Sequence, residues 1–210
     1  MPNWVFNSVT ITGQAPVVKE LREQLRKPIQ LPKMDGYKQV EPRTYITQAP
    51  DWISFQNVIP IPADVLDEYH SVCDSEGMKK ENNWYKWNAN NWGCKWDANE
   101  TNGSIEMINN YESRLSLSFD TPWSPPLPVM EKLANFCRDN DLTMSWSYEE
   151  EQGWGGEWYV SSNGEFSESE YDIPEAHADF VSRGNADNCH CSEETDQEYW
   201  FDDCPGKVAV

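Results

Sequence analysis

The stretch RLSLSFDTPWSPPLPVMEKLANFCRDNDLTMSWSY, residues 114–148, decides how the rest of the chain is read, because it spells a strand, a helix and a second strand in succession. Residues 114–120 are strand-like. The run Thr121-Pro122-Trp123-Ser124-Pro125-Pro126 opens a helix; Val129, Leu133, Phe136 and Cys137 form its apolar stripe, and Asp139 and Asn140 end it. Leu142, Met144, Trp146 and Tyr148 then alternate with other residues at the period of a strand buried on one face. Gly153-Trp154-Gly155-Gly156 turns the chain into a partner strand at 157–161, which predicts a hairpin.

Working outward, residues 104–111 are also strand-like, with Asn109 and Asn110 as turn residues and a register left open by Tyr111 and Glu112. At the N-terminus, Trp4, Phe6, Val9 and Ile11 suggest a strand that Gly13 ends. Pro16 opens a helix in which Val17, Val18, Leu21 and Leu25 follow helical spacing, with Lys19, Arg22, Glu23 and Arg26 opposite, until Pro28 stops it. Pro28, Pro32, Pro42, Pro50, Pro60 and Pro62 make residues 28–62 an extended insertion without regular structure, returning through 55–61. A short helix is expected over 63–73, with Val65, Leu66, Tyr69 and Val72 inward. The order is βαββαβ-like with extras, which favours an α+β sandwich with helices on one face of an antiparallel sheet, spanning residues 1–162. Residues 163–210 read as an acidic appendage with one helix at 174–183.

Charge is distributed unevenly over the 210 residues. Residues 51–210 hold 32 of the 36 acids and 9 of the 16 basic residues, a net of −23, whereas residues 1–50 carry +3. Solubility asks for a net charge of only about 2 to 8 in a small domain. The excess attracts cationic partners and repels nucleic acid and anionic lipid. With 11 Trp, 9 Tyr and 7 Phe the chain has the bulk for a core, under a shell polar enough to give a mean hydropathy of −0.78. The N-terminus has no basic and apolar signal regions, and no run reaches the roughly 18 apolar residues of a membrane span, so a soluble protein of the host cytoplasm is expected. The six cysteines are expected as reduced thiols.

Four blocks together carry a resemblance: Met1-Pro2-Asn3-Trp4 with Asn7; Asn91-Trp92-Gly93-Cys94-Lys95-Trp96-Asp97; Phe119-Asp120-Thr121-Pro122-Trp123-Ser124-Pro125-Pro126; and Tyr148-Glu149-Glu150 with Gly153. They resemble the YubB-like family of plasmid and bacteriophage proteins over about residues 1–160. The resemblance implies a ferredoxin-like fold and a mobile-element setting, and it assigns no catalytic residue.

Three groups of residues carry candidate chemistry. The acids Glu149, Glu150, Glu151, Glu157, Glu165, Glu168, Glu170, Asp172 and Glu175 could imitate DNA phosphates to a basic host protein, since residues two apart on a strand lie roughly 7 Å apart on one face; the plainer reading is a solvated surface. Trp84, Trp87, Asn91, Trp92, Lys95, Trp96 and Asp97, in a segment rich in Asn (Asn82, Asn83, Asn88, Asn90), could stack a small ligand or nucleotide, the plainer reading being core. Cys189, His190, Cys191 and Cys204, with His177, have poor spacing for zinc, and no metal or cofactor is expected. No P-loop, G-x-G-x-x-G or H-E-x-x-H occurs, and Asp97 with Glu149 is the one acid–base pair to weigh, so the chain is read as a non-enzyme. The expectation is an accessory protein that binds and inhibits a host nucleic-acid-handling or defence protein through an acidic surface, touching neither nucleic acid nor membrane.

Overall fold

The computed structural model describes residues 3–35, 38–39, 44–67, 83–151 and 154–171. In chain order the elements are β1 (Trp4–Gln14), α1 (Ala15–Leu25), β2 (Ile29–Pro32), β3 (Met34–Asp35), β4 (Lys38–Gln39), β5 (Tyr45–Gln48), a 3-10 turn (Phe55–Asn57), α2 (Ala63–Asp67) and α3 (Trp84–Asn91). They continue with β6 (Asn99–Met107), β7 (Glu112–Pro122), α4 (Leu127–Asp139), β8 (Thr143–Glu150), β9 (Gly155–Val160) and β10 (Phe166–Tyr171).

Six strands form one antiparallel sheet in the order β10-β9-β8-β1-β7-β6. Two βαβ units, β1-α1-β6 and β7-α4-β8, interleave so that every neighbour runs antiparallel, the ferredoxin-like α+β arrangement. Both helices lie on one side because their apolar stripes have one partner, the inward row of the sheet. In α1 that stripe is Val18, Leu21 and Leu25, and in α4 it is Val129, Met130, Leu133, Ala134 and Cys137. Against them the sheet presents Val5, Val9 and Ile11 from β1, Leu115, Leu117 and Phe119 from β7, and Met144, Trp146 and Tyr148 from β8. Polar side chains also enter this layer, and Asn7 is bonded across three strands: it donates to the Val5 carbonyl at 3.0 Å and to Thr121 Oγ1 at 3.1 Å, and accepts from the Trp146 indole at 3.2 Å.

The pleat of β1 corrects one expectation. Val5, Asn7, Val9 and Ile11 point inward, so Trp4 and Phe6 fall on the opposite face and Phe6 is 50% exposed. That second face carries Ser8, Ser118, Ser145, Glu149 and Glu157, all exposed, and neither α1 nor α4 lies on it.

The insertion contains more regular structure than its prolines suggest. β2 pairs with β5, and Pro32 ends its strand, where a missing N–H is tolerated. The insertion then packs on the helix side: Phe55 meets Phe119 edge-on at 5.6 Å, and Trp52 lies under the guanidinium groups of Arg22 and Arg26, each 5.7 Å away. Asn57 sews the 3-10 turn to the end of α1, donating to the carbonyls of Leu25 and Lys27 at 2.9 Å each.

β6 begins before the expected residue 104 and ends before Tyr111. The Asn109 side chain accepts from the Tyr111 and Glu112 amides at 2.8 and 3.0 Å, a local turn that leaves Tyr111 out of the strand. The acidic appendage expected from residue 163 starts with β10, paired to β9. The helix expected at 174–183 and the far half of the one expected at 63–73 lie outside the described residues. Among the described residues no helix is long and apolar enough to cross a membrane.

Candidate functional site

The expected acidic run is divided by the geometry that carries it. On β8, Glu149 points to the open face of the sheet, whereas Glu150 points inward and is 2% exposed. Neighbours on a strand face opposite ways, so three consecutive glutamates cannot form one charged face. Glu151 is exposed beyond the strand end. Glu157, opposite Ser147, joins Glu149 on the open face. Glu168 and Glu170, opposite Trp158 and Gly156, stand on the helix side of the edge strand, and Glu165 precedes β10. Asp172 and Glu175 lie outside the described residues.

What the open face does assemble centres on Phe6. Its register partners are Asp120 on β7 and Glu149 on β8, which places a carboxylate on each side of an exposed ring. Burial, then the charges of Glu100 and Glu151, raise the Asp120 carboxyl above its ordinary pKa. Asp120 and Glu149 thus flank one aromatic side chain, and Glu100 of β6 and Glu151 beyond β8 are the further acids of the cluster, acting on Asp120. The sequence did not reveal Asp120 or Glu100 as members, because the register that unites them joins segments far apart in the chain.

The Trp- and Asn-rich segment separates into core and surface. Trp92 is fully buried, its indole N–H donates to the Ile59 carbonyl at 2.9 Å, and its ring packs edge-on against Phe55 and Trp87 at 5.7 and 5.6 Å. Trp84 and Trp87 are partly buried against the same core. Asn83 caps α3 by accepting from the Lys86 amide at 2.9 Å, and Asn91 donates to the Trp87 carbonyl at 2.8 Å.

Asp97 is equally committed. Its carboxylate accepts from Ser54 Oγ at 2.5 Å and from the amides of Phe55 and Ala98 at 2.6 and 2.8 Å. Burial raises its pKa, and those three hydrogen bonds oppose the rise. These five residues of the expected ligand set, Trp84, Trp87, Asn91, Trp92 and Asp97, are therefore structural.

Lys95 and Trp96 remain at the surface. They meet Trp4, Tyr85 and Trp123: the Trp4 ring is 6.3 Å from Trp96, Trp123 stacks at 6.5 Å, and the Lys95 ammonium is 4.4 Å from Trp96 and 4.8 Å from Trp123. Trp123 was visible only as part of a proline-rich helix entrance.

The geometry brings together no acid–base pair from Asp97 and Glu149. Asp97 precedes β6 and Glu149 lies on β8, three strand spacings of about 4.8 Å away. Among the described residues no group of three or more His, Cys, Asp or Glu is placed to hold a metal. Cys189, His190, Cys191, Cys204 and His177 lie outside those residues. Cys94 and Cys137 are free buried thiols. Burial, with the Asp97 charge second, pushes Cys94 up, and burial pushes Cys137 up to about 12.

The fold recurs in a solved structure, a protein api92 from Yersinia pseudotuberculosis. It superposes with a TM-score of 0.52 over 82% of this chain and 99% of that one, at 11% sequence identity. No curated protein matches the sequence. Residues 91–197, just over half of the chain, match the family described as "Ferredoxin-like domain in Api92-like protein". With strands, helices and sequence in agreement, the chain belongs to the Api92-like family of ferredoxin-like proteins.

Proposed function

We propose that the chain is a protein-binding accessory factor of a mobile genetic element. It acts in the host cytoplasm, docking the open face of its sheet on a basic surface of a host nucleic-acid-handling or defence protein and blocking it. The observation that carries this reading is exposed Phe6 flanked by Asp120 and Glu149, with the charges of Glu100 and Glu151 acting on Asp120. An Asp120 carboxyl raised by burial and by neighbouring negative charge gains when a partner's Lys or Arg side chain comes beside it, and the phenyl ring supplies the apolar contact that an interface centre needs. Charge of this sign and size also steers a basic protein inward and competes for the surface it otherwise offers to phosphates. The resemblance to plasmid and phage proteins supplies the setting.

The test uses tagged protein and host lysate at low and high salt. Capture should fall steeply with salt and be lost when Glu149 and Glu157 are changed to Lys together with Phe6→Ala. Glu168→Lys with Glu170→Lys, reversing charges on the helix side, should leave it intact. Equal loss in both variants, or capture indifferent to salt, would sink the proposal.

A further inference from the structure

Lys95 has no ion-pair partner among the described residues, in a chain whose 36 acids outnumber its 16 basic residues. Its ammonium is held 4.4, 4.8 and 5.8 Å from the ring centres of Trp96, Trp123 and Tyr85, and among the described residues no carboxylate forms an ion pair with it. The acid closest in sequence, Asp97, is occupied by Ser54, Phe55 and Ala98.

The rings around Lys95 are fixed yet face solvent. Trp96, Trp123 and Tyr85 are 37%, 46% and 43% exposed. The two indoles face each other with 28° between their planes and centres 6.5 Å apart, near the far end of the range in which rings still touch. Trp123 adopts φ +67°, a left-handed backbone that disfavours a bulky side chain. It is pinned there: its amide donates to the Asn3 carbonyl at 2.8 Å, Thr121 Oγ1 donates to the Ser124 carbonyl at 2.9 Å, and Ser124 Oγ donates to the Gly93 carbonyl at 2.5 Å. On the other side, the Lys95 carbonyl accepts from Asn88 Nδ2 at 2.8 Å, and the Trp96 carbonyl accepts from the Cys94 thiol at 3.2 Å. Half-exposed indoles gain only part of the free energy of burial, so core packing does not account for a strained backbone that presents one to water.

We propose that Lys95, Trp96, Trp123 and Tyr85 form a binding site for a small planar aromatic anion, the ring lying against the exposed indole faces and the anionic group meeting the Lys95 ammonium. Stacking on indoles tolerates any flat π-system, and the single cation sets the charge. The ligand is small because screening beyond roughly 8 Å hides the distant acids from a compact anion, whereas a polyanion crosses the acidic surface and is repelled. A phosphate-bearing nucleobase and an aromatic carboxylate share this chemistry.

Calorimetry on the full chain tests the site with four probes: adenosine monophosphate, indole-3-acetate, adenosine and inorganic phosphate. Saturable binding of either ring-bearing anion supports the site, and which one binds identifies the source of the charge. Adenosine should bind about tenfold or more weakly than its phosphate, and inorganic phosphate not at all. Lys95→Met should weaken the anion by about tenfold and leave adenosine unchanged, while Trp123→Ala should weaken both, with the urea midpoint of each variant checked. The proposal is overturned if neither anion saturates, or if binding survives Lys95→Met unchanged. Protein capture by the Phe6 face is scored separately, so either site can fail alone.

Discussion

The hydroxyl of Tyr148 donates to Glu170 Oε1 at 3.4 Å, reaching from β8 to β10 across the bare backbone of Gly156 on the intervening strand β9. On the other face Tyr171 donates to Glu149 Oε2 at 3.4 Å across Gly155, in the reverse direction. A Cβ at Gly156 would come within 2.5 Å of the Tyr148 hydroxyl, and one at Gly155 within 2.7 Å of the Tyr171 hydroxyl. Two successive glycines thus let a tyrosine pass over β9 on each side and tie the edge strand to the third one in.

The first prediction concerns that crossing. Gly156→Ala should push Tyr148 off its path and destabilise the fold by about 1–3 kcal/mol, the usual penalty for overpacking. Amide hydrogen exchange should quicken first in β10. Unchanged exchange there would show that the crossing does not hold the edge.

Tyr148 should titrate late. Burial raises its pKa to about 12, with the Glu170 charge, the Glu170 hydrogen bond and the Glu168 charge adding to it. Because the folded value exceeds the ordinary one near 10, this tyrosine's contribution to stability is complete below about pH 10 and is lost as pH rises through about 12. The tyrosinate absorbance difference between the native protein and Tyr148→Phe should therefore have its midpoint well above 10. A midpoint at the ordinary value would refute the assignment.

Asp97 should behave as a buried acid with a raised pKa. Its contribution to stability is then full below the ordinary carboxylate range and declines as pH rises through the folded value. Asp97→Asn, which keeps an acceptor for the Phe55 and Ala98 amides, should gain on the native protein in urea denaturation as pH rises above the ordinary carboxylate value of about 4. Asp97→Ala leaves those amides unsatisfied and should cost about 1–3 kcal/mol. Parallel pH profiles for the native protein and Asp97→Asn would contradict the raised pKa.

Two tryptophans four residues apart should part company. Trp92→Ala empties a fully buried site and strands the Ile59 carbonyl, at a cost of about 3–5 kcal/mol. Trp96→Ala, at a partly exposed ring, should cost about 1 kcal/mol or less. Urea midpoints compare them directly, and equal losses would place Trp96 in the core.

Where side chains repeat at the period of their element, the fold was legible. Val18, Leu21 and Leu25, or Met144, Trp146 and Tyr148, bury one face each and announce themselves. β10 did not, because FSESEY is an edge strand exposed on almost every residue and has no apolar period to read. β1 was found but phased wrongly at its start: Asn7 occupies an inward position through its bonds to Thr121 and Trp146, which leaves the hydrophobic Phe6 outside. The candidate sites were harder still. The placing of Asp120 and Glu149 on either side of Phe6 depends on strand register, and Trp123 reaches Trp96 only through the pinned turn after β7, neither of which leaves a local pattern.

The Asp97 carboxylate grips Ser54 and Phe55 of the insertion while standing next to Trp96 in the chain. The proline-rich excursion therefore works as a strut under the aromatic surface. Shortening that loop would withdraw the anchor of Asp97 and with it the support beneath the neighbouring indole platform.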